Sequence, residues 1–269
     1  MEKITSRRNA ECIHVKKLSA SRAYRNEREE FVCDGKKLLR EAIGSNTEIV
    51  SVFSSSPITL PLPAGTKVFE VSNDILNSLS PLKNSQDVLF VCKRPDSIDV
   101  NYKMGTHILL DNIQDPGNVG TIIRSAYAFG IESVILTESC ADLYNPKAIR
   151  ASMGALFRQR VRNLTPEALT DLKQSGVRFI GTSSDSGFSD KTIVSIRDTL
   201  KFDLNNAIIM FGNEGNGISE DLLALCDEMI TIPLAADCDS LNVAVAASII
   251  MWEVKGREKD AAGSGWNFH

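Results

Sequence analysis

The stretch 107-HILLDNIQDPGNVGTIIRSAYAFGIESVIL-136 decides how the second half of this chain is read. HILL and SVIL are short apolar runs, and between them apolar residues recur at helical spacing as far as Gly130, a residue suited to ending a helix. Strand, polar loop, amphipathic helix and strand make a β-α-β unit, whose two strands run parallel. The alternation continues through a helix over 145-NPKAIRASMGALF-157, strands 178-RFIGT-182 and 207-AIIMFG-212, and a helix over 218-ISEDLLALC-226. A strand at 229-MITIPL-234 and a terminal helix over 241-LNVAVAASIIMWEVK-255 complete it. Short apolar strands separated by amphipathic helices specify an α/β fold with a parallel sheet covered on both faces, where ligands collect at the carboxyl ends of the strands.

Upstream, the pattern predicts a charged helix over 7-RRNAECIHVKKL-18, a strand at 31-FVCDG-35, a helix from Lys36 to Ala42 and a strand at 49-IVSVFSS-55. Strands at 67-KVFEVS-72 and 87-DVLFVCK-93, with the capped helix 73-NDILNSLS-80 between them, close a small α/β unit. Periodicity is lost over 94-RPDSIDVNYKMGT-106, which marks a domain boundary. The expected domains are therefore 1–100 and 105–258, followed by a frayed tail, 259-KDAAGSGWNFH-269.

The composition, 43% hydrophobic and 24% charged over 269 residues, is that of an ordinary globular protein and excludes disordered and fibrous classes. The net charge of −4 conceals an asymmetry: residues 1–40 carry eleven Lys/Arg against six Asp/Glu, a balance of +5, leaving −9 for the remainder. Arg7, Arg8, Lys16 and Lys17 stand at the head of that basic segment, either as a docking arm for a polyanion or as an ordinary solvated helix face. Six scattered cysteines, with no C-x-x-C pair and no His/Cys cluster, point to reduced thiols and to no metal. The start lacks an apolar leader, and the longest apolar run, 243-VAVAASIIMW-252, is too short to cross a bilayer. A cytoplasmic protein without membrane contact is expected.

Three polar loops sit at strand ends. In the first, 111-DNIQDPGNVGTIIRSAYAFG-130, Asn118 is a good helix cap, and an incidental surface Arg124 would explain the rest. The loop is neither a G-x-x-x-x-G-K-[ST] nor a G-x-G-x-x-G motif, so nucleoside triphosphate and NAD sites lose ground. The second, 212-GNEGNGIS-219, holds three glycines that let backbone approach a ligand, with Glu214 among them, though a flexible turn would also fit. The third, 232-IPLAADCDSLNVAVAA-247, opens a helix through Ser240, a plausible cap, with Asn242 in its first turn. Each loop alone has a structural explanation; the conjunction of three does not.

The elements 118-NVGTIIR-124, 212-GNEGNG-217, and 232-IP-233 with 240-SLNV-243 resemble, in order and at matching spacing, the three motifs of the SpoU (TrmH) family of RNA ribose 2′-O-methyltransferases. The segment 143-LYNPKAIRASMGALF-157 is similar to the same family, and the resemblance covers roughly residues 105–257. More weakly, 4-ITSRRNAECIHVKKL-18 and 32-VCDGKKLLREAI-43 resemble the ribosomal-protein-like α/β substrate-binding domain of many members. The resemblance implies a SPOUT-type α/β fold with a C-terminal trefoil knot, a homodimer, S-adenosylmethionine as methyl donor and RNA as substrate, ribosomal RNA before transfer RNA.

By position it implies that Gly212, Ile232 and Leu241 give the main backbone contacts to the cofactor, with Asn213, Gly217 and Thr182 lining the same pocket. It places Arg124 near the ribose and its phosphate. The family view has this arginine help remove the hydroxyl proton; a guanidinium keeps its charge in essentially all protein settings, so stabilising the developing alkoxide is the better physical role. Asn118, Glu214, Ser240 and Asn242 would surround it, Glu214 orienting Arg124 or Asn118. Two departures, Ala244 where many members have serine and the chain end 253-EVKGRE-258, leave that set intact and blur the subfamily. Alternatives are a transfer-RNA enzyme, a base methyltransferase of the same fold, and a catalytically silent RNA-binding or ribosome-assembly relative. The presence of Arg124, Glu214 and Asn242 weighs against the last.

Overall fold

The chain, whose computed structural model describes residues 2–81, 87–95, 99–183, 193–201, 204, 206–235 and 237–262, divides into two units. One is Met1–Ser97 with Asp142–Arg158, the other Ile98–Ala141 with Gln159–His269.

The first unit runs β1 (Glu2–Ile4), α1 (Ala10–Ala20), α2 (Arg22–Arg28), β2 (Glu30–Asp34), α3 (Lys36–Gly44), β3 (Ile49–Ser54), β4 (Lys67–Val71), α4 (Asn73–Leu79) and β5 (Val88–Lys93). Local chemistry sets the boundaries: the side chains of Asn9, Ser21 and Ser72 accept the first free amides of α1, α2 and α4. The five strands lie in the order β1-β4-β3-β5-β2, with β4 parallel to both neighbours and β5 antiparallel to both of its own. Alternate residues face opposite sides. Val32, Phe53, Phe69, Leu89 and Val91 pack with Val15 and Leu18 of α1 and Ile75 and Leu76 of α4. Phe31, Cys33, Val52, Phe90 and Cys92 pack with Leu38 and Leu39 of α3, and with Ile149 and Leu156.

Those last two residues come from 142–158, which the sequence reading places in the second domain. The segment belongs to the first unit. Arg25, 3% exposed, binds Asp142 Oδ2 through Nε and Nη2 at 2.8 and 2.5 Å and gives Nη1 to the Leu18 carbonyl. Tyr144 packs at a tilt against Phe31, ring centroids 4.7 Å apart, and receives Arg94 on its face at 4.5 Å. The segment's helix is also shorter than its periodicity suggests: Met153 (φ 51) and Gly154 (φ 95) both turn left-handed, and a 3-10 turn at Ala155–Phe157 follows.

The second unit begins with β6 (Thr106–Leu110), α5 (Pro116–Phe129) and β7 (Ser133–Leu136); the excursion carrying α6 (Pro146–Ser152) comes next. It continues with β8 (Val161–Asn163), α7 (Pro166–Gln174), β9 (Arg178–Ser183), β10 (Ile193–Ser195), a 3-10 helix at Ile196–Lys201, β11 (Ala207–Phe211), α8 (Glu220–Leu225), β12 (Glu228–Thr231) and α9 (Val243–Ala262). Seven strands form one sheet in the order β10-β12-β9-β11-β6-β7-β8, every pair parallel. The α/β class with a parallel sheet is thus as expected. Every carboxyl end therefore lies along one edge, and the loops after β6, β9, β11 and β12 share it. α9 extends to Ala262, beyond the expected end of its helix, and the rest of the anticipated tail lies outside the described residues.

Candidate active site

The loop after β6 is fixed first. Asp111, 5% exposed, accepts the Ser219 amide at 2.8 Å, tying this loop to the start of α8. Asn112 adopts φ 57 and offers its carbonyl to Asn213 Nδ2 at 3.0 Å. α5 is capped by Asp115, whose Oδ1 accepts the amides of Gly117 at 2.6 Å and Asn118 at 3.1 Å, with Pro116 in the first turn. Asn118 is therefore not the cap that the sequence suggested. In the first turn of the helix, its carboxamide is left to reach across the site.

It does so in both directions. Asn118 Nδ2 donates to Glu214 Oε1 at 2.6 Å, and Asn118 Oδ1 accepts from Asn242 Nδ2 at 3.1 Å. Two hydrogen bonds, across 96 and 124 residues of chain, thus join the three loops. Arg124 is not part of this network. It is exposed, its side chain makes no ion pair or hydrogen bond among the described residues, and it stands six residues on, about 120° around the helix from Asn118. Of the two partners anticipated for Glu214, the structure joins it to Asn118.

The 212–217 loop closes on itself. Asn213 and Gly217 exchange backbone hydrogen bonds of 2.9 and 2.8 Å, and Asn213 Oδ1 accepts the Gly215 amide at 2.9 Å. A Cβ on Gly212 would lie 2.0 Å from the Gly217 carbonyl carbon and 2.2 Å from the Ile218 nitrogen. Close approach to a ligand was the sequence-level reason for this glycine; the structure adds an internal one, since the two ends of the loop pass too near for any side chain.

The third loop also departs from expectation. The strand ends at Thr231, leaving Ile232 and Pro233 as loop, and α9 starts at Val243. Asn242 Oδ1 accepts the Ala244 amide at 3.0 Å and the Val245 amide at 3.4 Å, so the capping side chain is Asn242 rather than Ser240.

Between the second and third loops lies a cavity of about 460 Å³. Thr182, Gly212, Asn213, Gly217, Ile232 and Leu241 all line it, as do Glu214 and Ser240, while the Thr182 hydroxyl is committed to the Met210 carbonyl at 2.8 Å. Ile230, Val243, Ala246 and Ile250 supply an apolar wall that the sequence reading missed. The signal was available, because Val243, Ala246 and Ile250 recur at three and four residues along one helix face. Backbone along two loops and an aliphatic wall suit a small molecule with a flat ring and a polar sugar, and the volume is in the usual range for such a ligand.

In the first unit, Arg7 pairs with Asp74 and Lys17 lies 5.4 Å from the Tyr24 ring centroid, while Arg8 and Lys16 are exposed. Among the described residues there is no group of His, Cys, Asp and Glu that could hold a metal, and no helix long and apolar enough to cross a membrane. All six cysteines are free thiols.

Residues 105–252 match the SpoU rRNA Methylase family, and residues 9–89 match the MRM3-like substrate binding domain. The chain is 31% identical over 263 residues to the 23S rRNA (guanosine(2553)-2′-O)-methyltransferase RlmP of Bacillus subtilis, covering 95% of this chain and 100% of that one. It is 25% identical to the mitochondrial rRNA methyltransferase 3 of Homo sapiens, over 89% of this chain and 71% of the human protein. Among solved structures, the AdoMet-bound rRNA methyltransferase from Sinorhizobium meliloti superposes with a TM-score of 0.83 at 25% identity, covering 95% of this chain and 98% of that one. The SpoU methyltransferase AviRb from Streptomyces viridochromogenes, in complex with AdoMet, gives 0.81 at 26%, covering 93% and 98%.

Proposed function

The chain belongs to the SpoU rRNA methylase family, and from that premise we propose that it transfers a methyl group from S-adenosylmethionine to a ribose 2′-hydroxyl of large-subunit ribosomal RNA. The observation that carries this reading is the convergence of the three loops through Asn118 beside a cavity of cofactor size. The residues fit the group: Gly212 admits no side chain, backbone lines two sides, and Ile230, Ala246 and Ile250 offer apolar contact for an adenine. Gly212, Asn213, Gly217, Ile232 and Leu241, with Thr182, would hold it.

The bound cofactor supplies a carbon already activated by its sulfonium. The protein's own task is then to position and help deprotonate a weak nucleophile. Arg124 presents a positive charge that lowers the energy of the developing alkoxide and can also hold the adjoining phosphate. Asn118, fixed by Glu214 and Asn242, holds the start of α5 in register with the cofactor loops, so that the ribose meets a site already organised. Ser240, in the cavity wall, would contact the group being transferred.

The same reading extends to a homodimer, a C-terminal trefoil knot and a cytoplasmic enzyme without a metal. Support for the dimer is the exposure of Tyr127, Val245 and Trp252, at 48, 49 and 43%, on α5 and α9. Support for the knot is the family fold together with the placement of β11 between β6 and β9. The substrate is engaged through the N-terminal unit, where Arg8 and Lys16, with Arg7 and Lys17, are proposed phosphate contacts. Incubating the purified protein with a 23S rRNA transcript and methyl-labelled S-adenosylmethionine tests the reaction. Label in alkali-resistant dinucleotides supports ribose transfer; label in a base, or none, refutes it.

A further inference from the structure

The first unit contains a second cavity, about 280 Å³, beside β2, α3 and α6. Its apolar surface comes from Val32, Leu38 and Ile149; Asp34 adds a carboxylate, and Lys37 and Arg150 add cations. The proposed methyl transfer uses none of these residues. Exposed Lys36, Lys37 and Arg40 on α3 and exposed Lys147 and Arg150 on α6 have no acidic partner among the described residues. Glu41, the acid of α3, is taken by Arg158 at 2.6 Å. Near α1 part of the basic charge is matched, Arg7 with Asp74, Lys3 with Glu70, and Lys67 with Glu11, while Arg8 and Lys16 stand exposed.

Five like charges held on two helices repel one another, and an anionic partner relieves that repulsion. Their assembly is also built in. α6 arrives in this unit from far along the chain and is fastened there by the buried Arg25–Asp142 pair and by Tyr144 against Phe31. Without that anchorage Arg150 would not stand beside Lys37.

Resting on the reading of this chain as an rRNA methyltransferase, we infer that the cleft is a docking site for the RNA substrate, with an unpaired nucleotide lodging its base in the cavity while Lys37 and Arg150 hold flanking phosphates. A stacked, paired base cannot enter a concavity of this size, whereas a splayed-out base can, and sequence-specific recognition of RNA works chiefly on such bases. The Asp34 carboxylate, which also accepts the Ser80 hydroxyl, accepts from base amino or imino groups, the pairing that carboxylates make with cytosine N4. The phosphates supply the affinity and the base supplies the selectivity.

The test uses the full-length protein, with and without Lys37→Gln/Arg150→Gln, and a charge-keeping control, Lys37→Arg/Arg150→Lys. Probes are a 23S rRNA transcript and a twelve-nucleotide oligoribonucleotide offered single-stranded or as a duplex, titrated at several salt concentrations. S-adenosylmethionine titration and thermal melting report that each variant is folded. Removing both charges should weaken transcript binding by about tenfold or more and reduce the magnitude of the log–log salt slope by roughly 1.4, about 0.7 for each single-strand phosphate contact. The preference for single strand over duplex should shrink with it, and the charge-keeping control should stay close to wild type. Unchanged affinity and slope in the charge-removed variant overturn the inference. So does unchanged RNA binding accompanied by a shift in sedimenting mass, which would assign the cleft to a second copy of the chain. A wild-type protein that binds the cofactor but no transcript at any salt refutes the rRNA reading itself, and this inference with it.

Discussion

Asn118 uses both ends of its carboxamide, one on Glu214 and one on Asn242, and this is how a helix residue comes to organise two distant loops. Arg124 is organised differently, since its side chain lines no part of the cavity between the second and third loops and is held by no neighbour among the described residues. Its removal should therefore separate chemistry from cofactor binding. Arg124→Ala is expected to lower the single-turnover rate a hundredfold or more, since a preorganised charge at a developing oxyanion is typically worth ~3 kcal/mol, while cofactor affinity measured by isothermal titration stays within about twofold. Retained turnover would remove Arg124 from the mechanism. At this scale the sequence was informative because the loops need residue types that few other positions need: Gly212 where two backbones nearly touch, and Asn242 where a helix must be capped and a neighbour held. What it could not show was direction. Nothing in 118-NVGTIIR-124 says that Asp115 takes the capping role and leaves Asn118 free.

Among the elements, those read correctly from sequence are the apolar runs of β6, β7, β9 and β11, whose burial on both faces leaves few alternatives. The three-residue strands β1, β8 and β10 escaped because so short a run has no period to detect. α2 and α7 also escaped, although Thr165 caps α7 and Pro166 occupies its first turn. The allegiance of α6 was invisible for another reason: it depends on an ion pair between residues 117 apart. That pair makes a prediction. Arg25→Ala leaves Asp142 buried without its cation, and unfolding by urea should show a loss of about 3–5 kcal/mol. A loss below about 1 kcal/mol would mean that other contacts hold the segment. β6 carries a second prediction in His107, which is fully buried between Ser133 Oγ at 2.8 Å and the Met104 carbonyl at 3.1 Å. The carbonyl can only accept, so Nε2 carries the proton and Nδ1 accepts from Ser133 in the neutral ring. Burial holds its pKa down to about 4. Between about pH 6.5 and 4 the unfolded chain binds a proton that the folded chain refuses, so stability should fall across that window by on the order of 3 kcal/mol; above pH 6.5 both states are neutral at this residue. Urea melts of wild type and His107→Gln at pH 7, 5.5 and 4.5 check this, and the variant should lose less stability on acidification.

For the molecule as a whole, the chain pairs a catalytic unit built on a parallel sheet with a basic unit that takes back a segment of the intervening sequence. The charge asymmetry visible in the first forty residues proved to be a mixture, since Arg25 is a buried structural cation and Arg7 is paired, while Lys36, Lys37 and Arg40 stand exposed. If the exposed Tyr127, Val245 and Trp252 are covered by a second copy, Trp252→Glu should shift sedimentation equilibrium from dimer towards monomer; a wild-type monomer at micromolar concentration would dispose of the dimer. The claim on which the rest depends is that this chain methylates a ribose of ribosomal RNA. Mapping 2′-O-methyl groups across all stable RNAs, in cells with the gene, without it, and carrying Arg124→Ala, tests it most directly. Loss of a ribose methyl group from large-subunit rRNA on deletion, restored by the wild-type gene and not by the variant, is the predicted result; ribosomal ribose methylation that is identical in all three would contradict it.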